Sequence, residues 1–366
     1  MRGRRTACIV SVVALLAAFV SGAQAVDDTP DSALDRAAFI ALPAIYRMTV
    51  TIRVDQLADD RHRVAIGRTV EFDGTAFGVG SGIVVTARPL VRPSAPVLMA
   101  AIDGLHVART DTFDPNDVRV TSSLMSIVLR RATPDATPST TLNATILQTT
   151  AIDVPSKLAI LRIPDRDAPA LQLDDATTLG TPVALVAFGV QRATEPAVQH
   201  GRLGPAGKVN GSNDGNLVTV SGVEAAAGNA GGPVIDEQGH VRGVLIQQAV
   251  AVGESSVITR SIGVRELASN AGVTVGTTSA EAAFADGMQS FWAREYSAAQ
   301  ESLHFASERV PNDTWIGALA TRAQALSSAD YVVVRSAPWR LPLIMGGIVA
   351  LALMLLLAAR FWSMED

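Results

Sequence analysis

The residues with the clearest chemical potential lie in one turn, Gly228-Asn229-Ala230-Gly231-Gly232-Pro233, followed by VIDEQGHVRGVLI through Ile246. Gly228, Gly231 and Gly232 permit backbone angles closed to other residues, so N–H groups can converge on one point. The main chain of Gly228, Asn229, Ala230 and Gly231 is therefore a candidate anion nest, with a relic of the fold as the alternative reading. A nest needs no side chain at residue 230. The turn feeds two β-rich runs separated by Asp236-Glu237-Gln238-Gly239, the pattern of a hairpin. Side-chain chemistry nearby is sparse. Ser221, with His200 or His106 as base, is a nucleophile candidate only if the fold joins them; Glu224 reads as a surface charge. The histidines (His62, His106, His200, His240 and His304) show no pair at helical ligand spacing, so no metal or other cofactor is expected.

The elements that must position this turn are short and β-rich. At 366 residues the chain has room for two or three domains. With 18% charged residues, a net charge of −5 and no clustered basic face, nucleic acid is not an expected partner. Residues 1–25 start with Arg2, Arg4 and Arg5, continue as an apolar run and close on Ala23-Gln24-Ala25. That is the pattern of a signal peptide cleaved after Ala25, an uncleaved anchor being the alternative, and it implies export. Cys8, the only cysteine, sits in this leader, so the mature chain carries no disulfide or thiol nucleophile. Residues 26–35 are polar and read as a loose leader. Strand-like runs follow at 45–54, 63–72, 83–86, 97–102, 118–120, 126–129, 144–147, 158–163, 182–188, 217–220, 241–246 and 256–259. Gly and Pro punctuate them, which predicts a mainly β barrel or sandwich. The Thr/Pro/Ser segment 132–141 reads as a surface loop between two halves.

Three motifs in order give the β region a resemblance. GNAGGP at 228–233 resembles the Gly-Asn-Ser-Gly-Gly-Pro nucleophile loop of trypsin-like serine proteases of the HtrA/Deg type, with Ala230 at the serine position. GSGIVVT at 80–86 is similar to the strand leading into that family's catalytic histidine, and Pro89 takes the histidine position. Residues 153–163 (DVPSKLAILRI) resemble its Asp-x-x-x-Asp-Leu-Ala segment; Asp153 matches the first aspartate and Lys157 stands where the catalytic one would be. LQLDDATTLGTPVALVAFG at 171–189 is similar to the strand that follows. The resemblance covers residues 34–275 and implies a trypsin-like double β-barrel. It also implies that Pro89, Lys157 and Ala230 occupy degenerate triad positions.

Beyond Gly276 the chain turns helical. Apolar residues recur at Phe284, Met288, Phe291, Trp292, Leu303 and Ala306, and Asn312 and Asp313 offer caps for a third helix over 314–326. Ala285, Gly287, Tyr296, Ala299, Leu303 or Phe305, Ala306 and Pro311 resemble one tetratricopeptide repeat plus a capping helix over 280–328. A lone repeat does not bury its own face. Docking of a partner, packing on the barrel and a stalk all stay open. Residues 341–359 (LPLIMGGIVALALMLLLAA) carry no charge and lie between Arg340 and Arg360, with Trp339 and Trp362 at interfacial positions. They read as a membrane span, leaving residues 360–366 as a cytoplasmic tail.

A methyl group at residue 230 cannot attack, a proline at 89 accepts no proton, and a lysine at 157 opposes a developing imidazolium. The expectation is a single-pass cell-membrane protein with the bulk of the chain outside. Its trypsin-like domain would bind a protein or peptide partner in the envelope without cleaving it. An active serine endopeptidase with a relocated site and a structural envelope scaffold are the alternatives.

Overall fold

The computed structural model describes residues 32–60, 63–103, 117–132, 141–151, 154, 156–189, 195–209, 212–246, 255–311 and 313–335. Helix α1 (Ala33–Ala41) comes first. Ser32 Oγ accepts the Asp35 N–H at 3.0 Å and donates to the Asp35 carboxylate at 2.6 Å, a closed N-terminal cap. A sheet follows, built from β1 (Ile45–Ala58), β2 (Arg63–Gly80), β3 (Ile83–Ala87), β4 (Arg119–Arg131), β5 (Thr141–Asn143), β6 (Thr145–Thr149) and β7 (Leu158–Arg162). Helices α2 (Arg88–Val91) and α3 (Ala95–Asp103) lie between β3 and β4. The strand order is β5-β4-β1-β2-β3-β7-β6, and the pairings are antiparallel. The two ends of this order, β5 and β6, are separated in the chain by Ala144 alone, whose N–H donates to the Ile127 carbonyl at 2.9 Å. The sheet must therefore curl until its edges meet, a barrel closed through the chain and not by a strand ladder.

The second half is a closed barrel of β8 (Pro182–Ala187), β9 (Ala197–Val209), β10 (Ser212–Ser221), β11 (Pro233–Ile235), β12 (Val241–Leu245) and β13 (Ser255–Arg260), ordered β10-β13-β12-β11-β8-β9. The link between halves is the stretch 163–181. There Leu171 N–H donates to Gly78 O at 2.9 Å, and a Cβ on Gly78 would overlap the Pro169 carbonyl. Only glycine allows that approach. The segment 132–141 instead joins β4 to β5 within the first half, so it does not divide the two barrels.

Two further expectations change. The run 97–102 is the helix α3, because Leu98, Met99 and Ile102 share one helical face and bury it in one cluster with Leu57, Ile66 and Ile127. Residues 33–35, read as leader, begin a helix. Helices α4 (Ser261–Asn270), α5 (Ser279–Trp292), α6 (Tyr296–Arg309) and α7 (Thr314–Arg335) complete the fold, α7 running past its expected end. Among the described residues no helix is long and apolar enough to cross a membrane. Residues 1–25, 341–359 and 360–366, expected as signal peptide, span and tail, lie outside the described residues.

The helical segment packs on the barrels. A Cβ on Gly287 would come 2.7 Å from Leu303 Cγ, so α5 and α6 touch at this glycine, with Phe284, Met288, Ala299 and Ala306 facing inward. Trp315 of α7 and Trp292 of α5 meet Phe39 of α1 edge-on, with centroids 5.2 and 5.8 Å apart. These rings share one buried cluster with Phe77 of β2 and Val186 of β8. The connecting chain is pinned too: Gly276 N–H donates to Val79 O at 2.8 Å.

A buried charge cluster seals this junction. Arg131, at the end of β4, bridges Asp165 at 3.0 Å and Asp313 at 3.2 Å, and its guanidinium lies 5.8 Å from the Tyr46 ring centroid. Asp313 Oδ1 also accepts the Trp315 and Ile316 N–H groups, capping α7. Glu281 of α5 is buried beside this cluster. Burial pushes its carboxyl up to about 8, with Arg131 pulling the other way. The folded state therefore keeps a proton that the unfolded chain has lost above its ordinary value of 4.5. Stability should fall as pH rises between those values, by at most about 1.4 kcal/mol per pH unit. Urea unfolding of wild type and Glu281→Gln at pH 5 and pH 8 checks this. The variant should lose less stability than wild type between the two, and parallel losses would remove Glu281 as the cause.

Candidate functional site

The glycine turn is held by a threonine from the other half. Thr75 of β2 is fully buried and uses every polar atom it has. Its N–H donates to Ala230 O at 2.9 Å, and its hydroxyl donates to Gly228 O at 2.8 Å and accepts the Phe188 N–H at 3.0 Å. Its carbonyl accepts the Thr86 hydroxyl at 2.8 Å. The turn enters through a single 3-10 turn, Ala227–Asn229, and leaves through Gly231 at φ 84°, where a Cβ would overlap both Thr75 O and Thr86 Oγ1. A Cβ on Gly228 would overlap the Phe188 carbonyl oxygen. Both glycines are demanded by backbone packed against backbone.

Of the four N–H groups of the expected nest, two have acceptors in the fold. Asn229 N–H donates to Ala226 O at 3.0 Å and Gly231 N–H to Leu245 O at 2.8 Å. Among the described residues no such acceptor is found for the Gly228 and Ala230 N–H groups. The Asn229 side chain, fully buried, donates to the Glu224 carbonyl at 2.7 Å and ties down the approach to the turn.

The structure brings the segments carrying Pro89, Lys157 and Ala230 to this junction. Pro89 is half-buried on α2. The preceding N–H, of Arg88, donates to Lys157 O at 2.8 Å, so the two segments are stitched by main chain. Burial and then the Arg88 guanidinium hold the Lys157 ammonium below the usual lysine range. Arg88 itself donates to Ala151 O at 2.8 Å. The residue after Pro89, Leu90, packs with Ala230 in one buried cluster. The Leu90 side chain and Ala230 O both lie beside Gly74 Cα, and Ala230 is 1% exposed. Residue 230 thus presents a methyl group to an apolar core. Thr75 and Leu90, which fix it, carry no motif of their own and escape a reading by sequence.

The other candidates are not assembled. His200 is hydrogen-bonded to Asp35 of α1 at 2.9 Å, and Ser221 Oγ lies 3.5 Å from the Arg202 carbonyl. The Ser32 hydroxyl, and then His200, hold the Asp35 carboxyl below its usual range against its burial. Glu224 is exposed and its N–H donates to the Gln199 side chain at 2.8 Å. His106, His62 and Asp153 lie outside the described residues. Asp174, Asp236 and His240 place ligand atoms within 4.8 Å of one another. Arg242, however, stands between the two acids, 2.7 Å from Asp174 and 2.5 Å from Asp236, so both carboxylates already answer a fixed positive charge. That donor set is built as an ion-pair cluster at the β11–β12 turn.

Two barrels with a glycine turn at their junction define a trypsin-like peptidase fold. Residues 74–244 match the family model described as a trypsin-like peptidase domain. Among solved structures, the active form of the Rv3671c protease from M. tuberculosis is similar at 17% identity and TM-score 0.42, covering 68% of this chain and 92% of that one. The serine endoprotease from Yersinia pestis is similar at 13% identity and TM-score 0.42, covering 67% of this chain and 68% of that one. No curated protein sequence matches the chain.

Replacing Thr75 by the isosteric Val should orphan Gly228 O and the Phe188 N–H together. Each buried group left unpaired is worth about 1–3 kcal/mol. Thr75→Ser keeps the hydroxyl and should lose much less. Thermal unfolding of the three proteins separates these outcomes; equal Tm values for Thr75→Val and wild type would show that the hydroxyl does not hold the turn.

Proposed function

We propose that this chain is a membrane-anchored envelope protein whose trypsin-like domain binds a protein or peptide and does not cleave it. The observation that carries this reading is the setting of Ala230, a methyl buried in one apolar cluster with Leu90, the neighbour of Pro89, while the Arg88 main chain ties that segment to Lys157. Acyl transfer by this fold needs a hydroxyl nucleophile, an acceptor for its proton and an anion to steady the resulting imidazolium. The three side chains at those positions are a methyl, a pyrrolidine and an ammonium. What such a domain keeps is main chain: the donor pair at Gly228 and Ala230, and the surface around it.

Ala230→Ser alone should therefore remain without protease activity. Losing nucleophile or base in dissected triads reduces turnover by about a million-fold, and one added hydroxyl repairs one of three defects. The purified full chain and its Ala230→Ser form are incubated with unfolded casein and with a fluorophosphonate probe. Neither should cleave or become labelled. Robust cleavage by the unmodified chain, abolished by changing Ser221 or a histidine, would replace this reading with that of a relocated active site.

Placement in the envelope rests on the basic-apolar leader and on the uncharged run 341–359 between Arg340 and Arg360. Protease added outside spheroplasts should degrade the barrels and leave a short membrane-bound fragment. Full protection of the barrels would put them on the other side.

A further inference from the structure

A cleft of about 560 Å3 opens between α1, the β11–β12 turn and the end of α5, each contributing one wall. Its volume falls within the range of sites that hold small organic ligands. Ile40 and Trp292, both half-buried, give it an apolar floor. Arg36 from α1 and Glu237 from the turn bring opposite charges to different walls, and the side-chain amides of Gln238 and Gln289 complete the rim.

The charges around this cleft are paired and those within it are not. Asp35 is held by Ser32 and His200, and Arg242 by Asp174 and Asp236. Arg36 and Glu237 have no ion pair among the described residues. A guanidinium at the edge of an apolar floor matches a carboxylate next to a hydrocarbon group: the first by a bidentate pair, the second by area removed from water. A simple carboxylate ligand would leave Glu237 facing like charge. A peptide would not, because its backbone N–H groups supply donors to Glu237 and its carbonyls accept from the glutamine amides.

We propose that this cleft recognises the C-terminal end of a peptide, with the terminal carboxylate on Arg36, backbone N–H groups toward Glu237, and an apolar last side chain on Ile40 and Trp292. This adds to the peptide-binding reading above, on which it rests, a recognition site separate from the Gly228 and Ala230 donor pair.

The test uses the full chain in mild detergent and three probes followed by titration calorimetry: acetyl-Ala-Ala-Phe as free acid, the same peptide as amide, and acetyl-Ala-Ala-Gly as free acid. The Phe acid should bind at least about ten-fold more tightly than either of the others, a difference of about 1.4 kcal/mol. Arg36→Gln, at an exposed position, should abolish the acid-over-amide preference while the thermal midpoint stays unchanged. Equal affinity for acid and amide, no binding of any probe at millimolar concentration, or an Arg36→Gln variant that keeps the preference would each overturn the proposal. Fluorophosphonate labelling of the chain would defeat the reading of binding without cleavage and leave the acid-over-amide result standing. Loss of that preference in an unlabelled chain would defeat the cleft alone.

Discussion

Thr75 is the joint on which the arrangement of the two barrels depends. One residue of the first half fixes two carbonyls of the glycine turn and the Phe188 N–H of the second. Its own carbonyl is fixed in turn by Thr86. All of this lies in the dry interior, where an unmatched polar group is costly and a complete set is rigid. The consequence is geometric. Gly228 and Gly231 are squeezed between this threonine and Phe188 with no room for a Cβ, so the turn has one conformation available to it. The Gly228 and Ala230 N–H groups inherit their direction from that packing, not from any side chain at residue 230.

A second constraint works at the far side of the first barrel. Arg131 reaches from β4 to Asp313, the capping residue of α7, and both of these side chains are buried, with the half-buried Asp165 as the third partner. Breaking one partner of such a cluster leaves a buried charge unanswered, which is more damaging than never having had the pair. Glu281 adds a neutral carboxyl to the same pocket, kept so by its burial. The helices are thereby held to the barrels by polar matching as well as by the Phe39, Trp292 and Trp315 rings, and α1 is drawn into the same body. A helical pair that is one face short of a stacked array has found its missing neighbour in the barrel and the N-terminal helix.

These two constraints mark the limit of what was legible in the chain. The turn at 228–233 and the strands at 80–86 and 158–163 are continuous, so their glycine and β-branched patterns survive in one dimension. So do the inward positions Phe284, Met288 and Leu303, set by a helical period, and the cap at Asp313. Thr75 is different: its partners Phe188 and Gly228 lie 113 and 153 residues away, and a threonine in a strand announces nothing. The Arg131–Asp313 bridge spans 182 residues. Helix α1 escaped for another reason. Its buried face is largely alanine (Ala37, Ala38, Ala41), too weak a contrast to set a period against Asp35 and Arg36. In α3 the opposite holds, since an unbroken apolar run erases the difference between helix and strand.

The electrostatics of the junction follow from the same placement. In a working triad the imidazole acquires charge during reaction, and an ionised carboxylate makes that charge bearable. Here the main chain of Arg88 is bonded to that of Lys157, and the two cations sit close enough for one to depress the other. Barrels and turn thus keep their full structural logic, set by backbone packed against backbone, with a methyl group at residue 230.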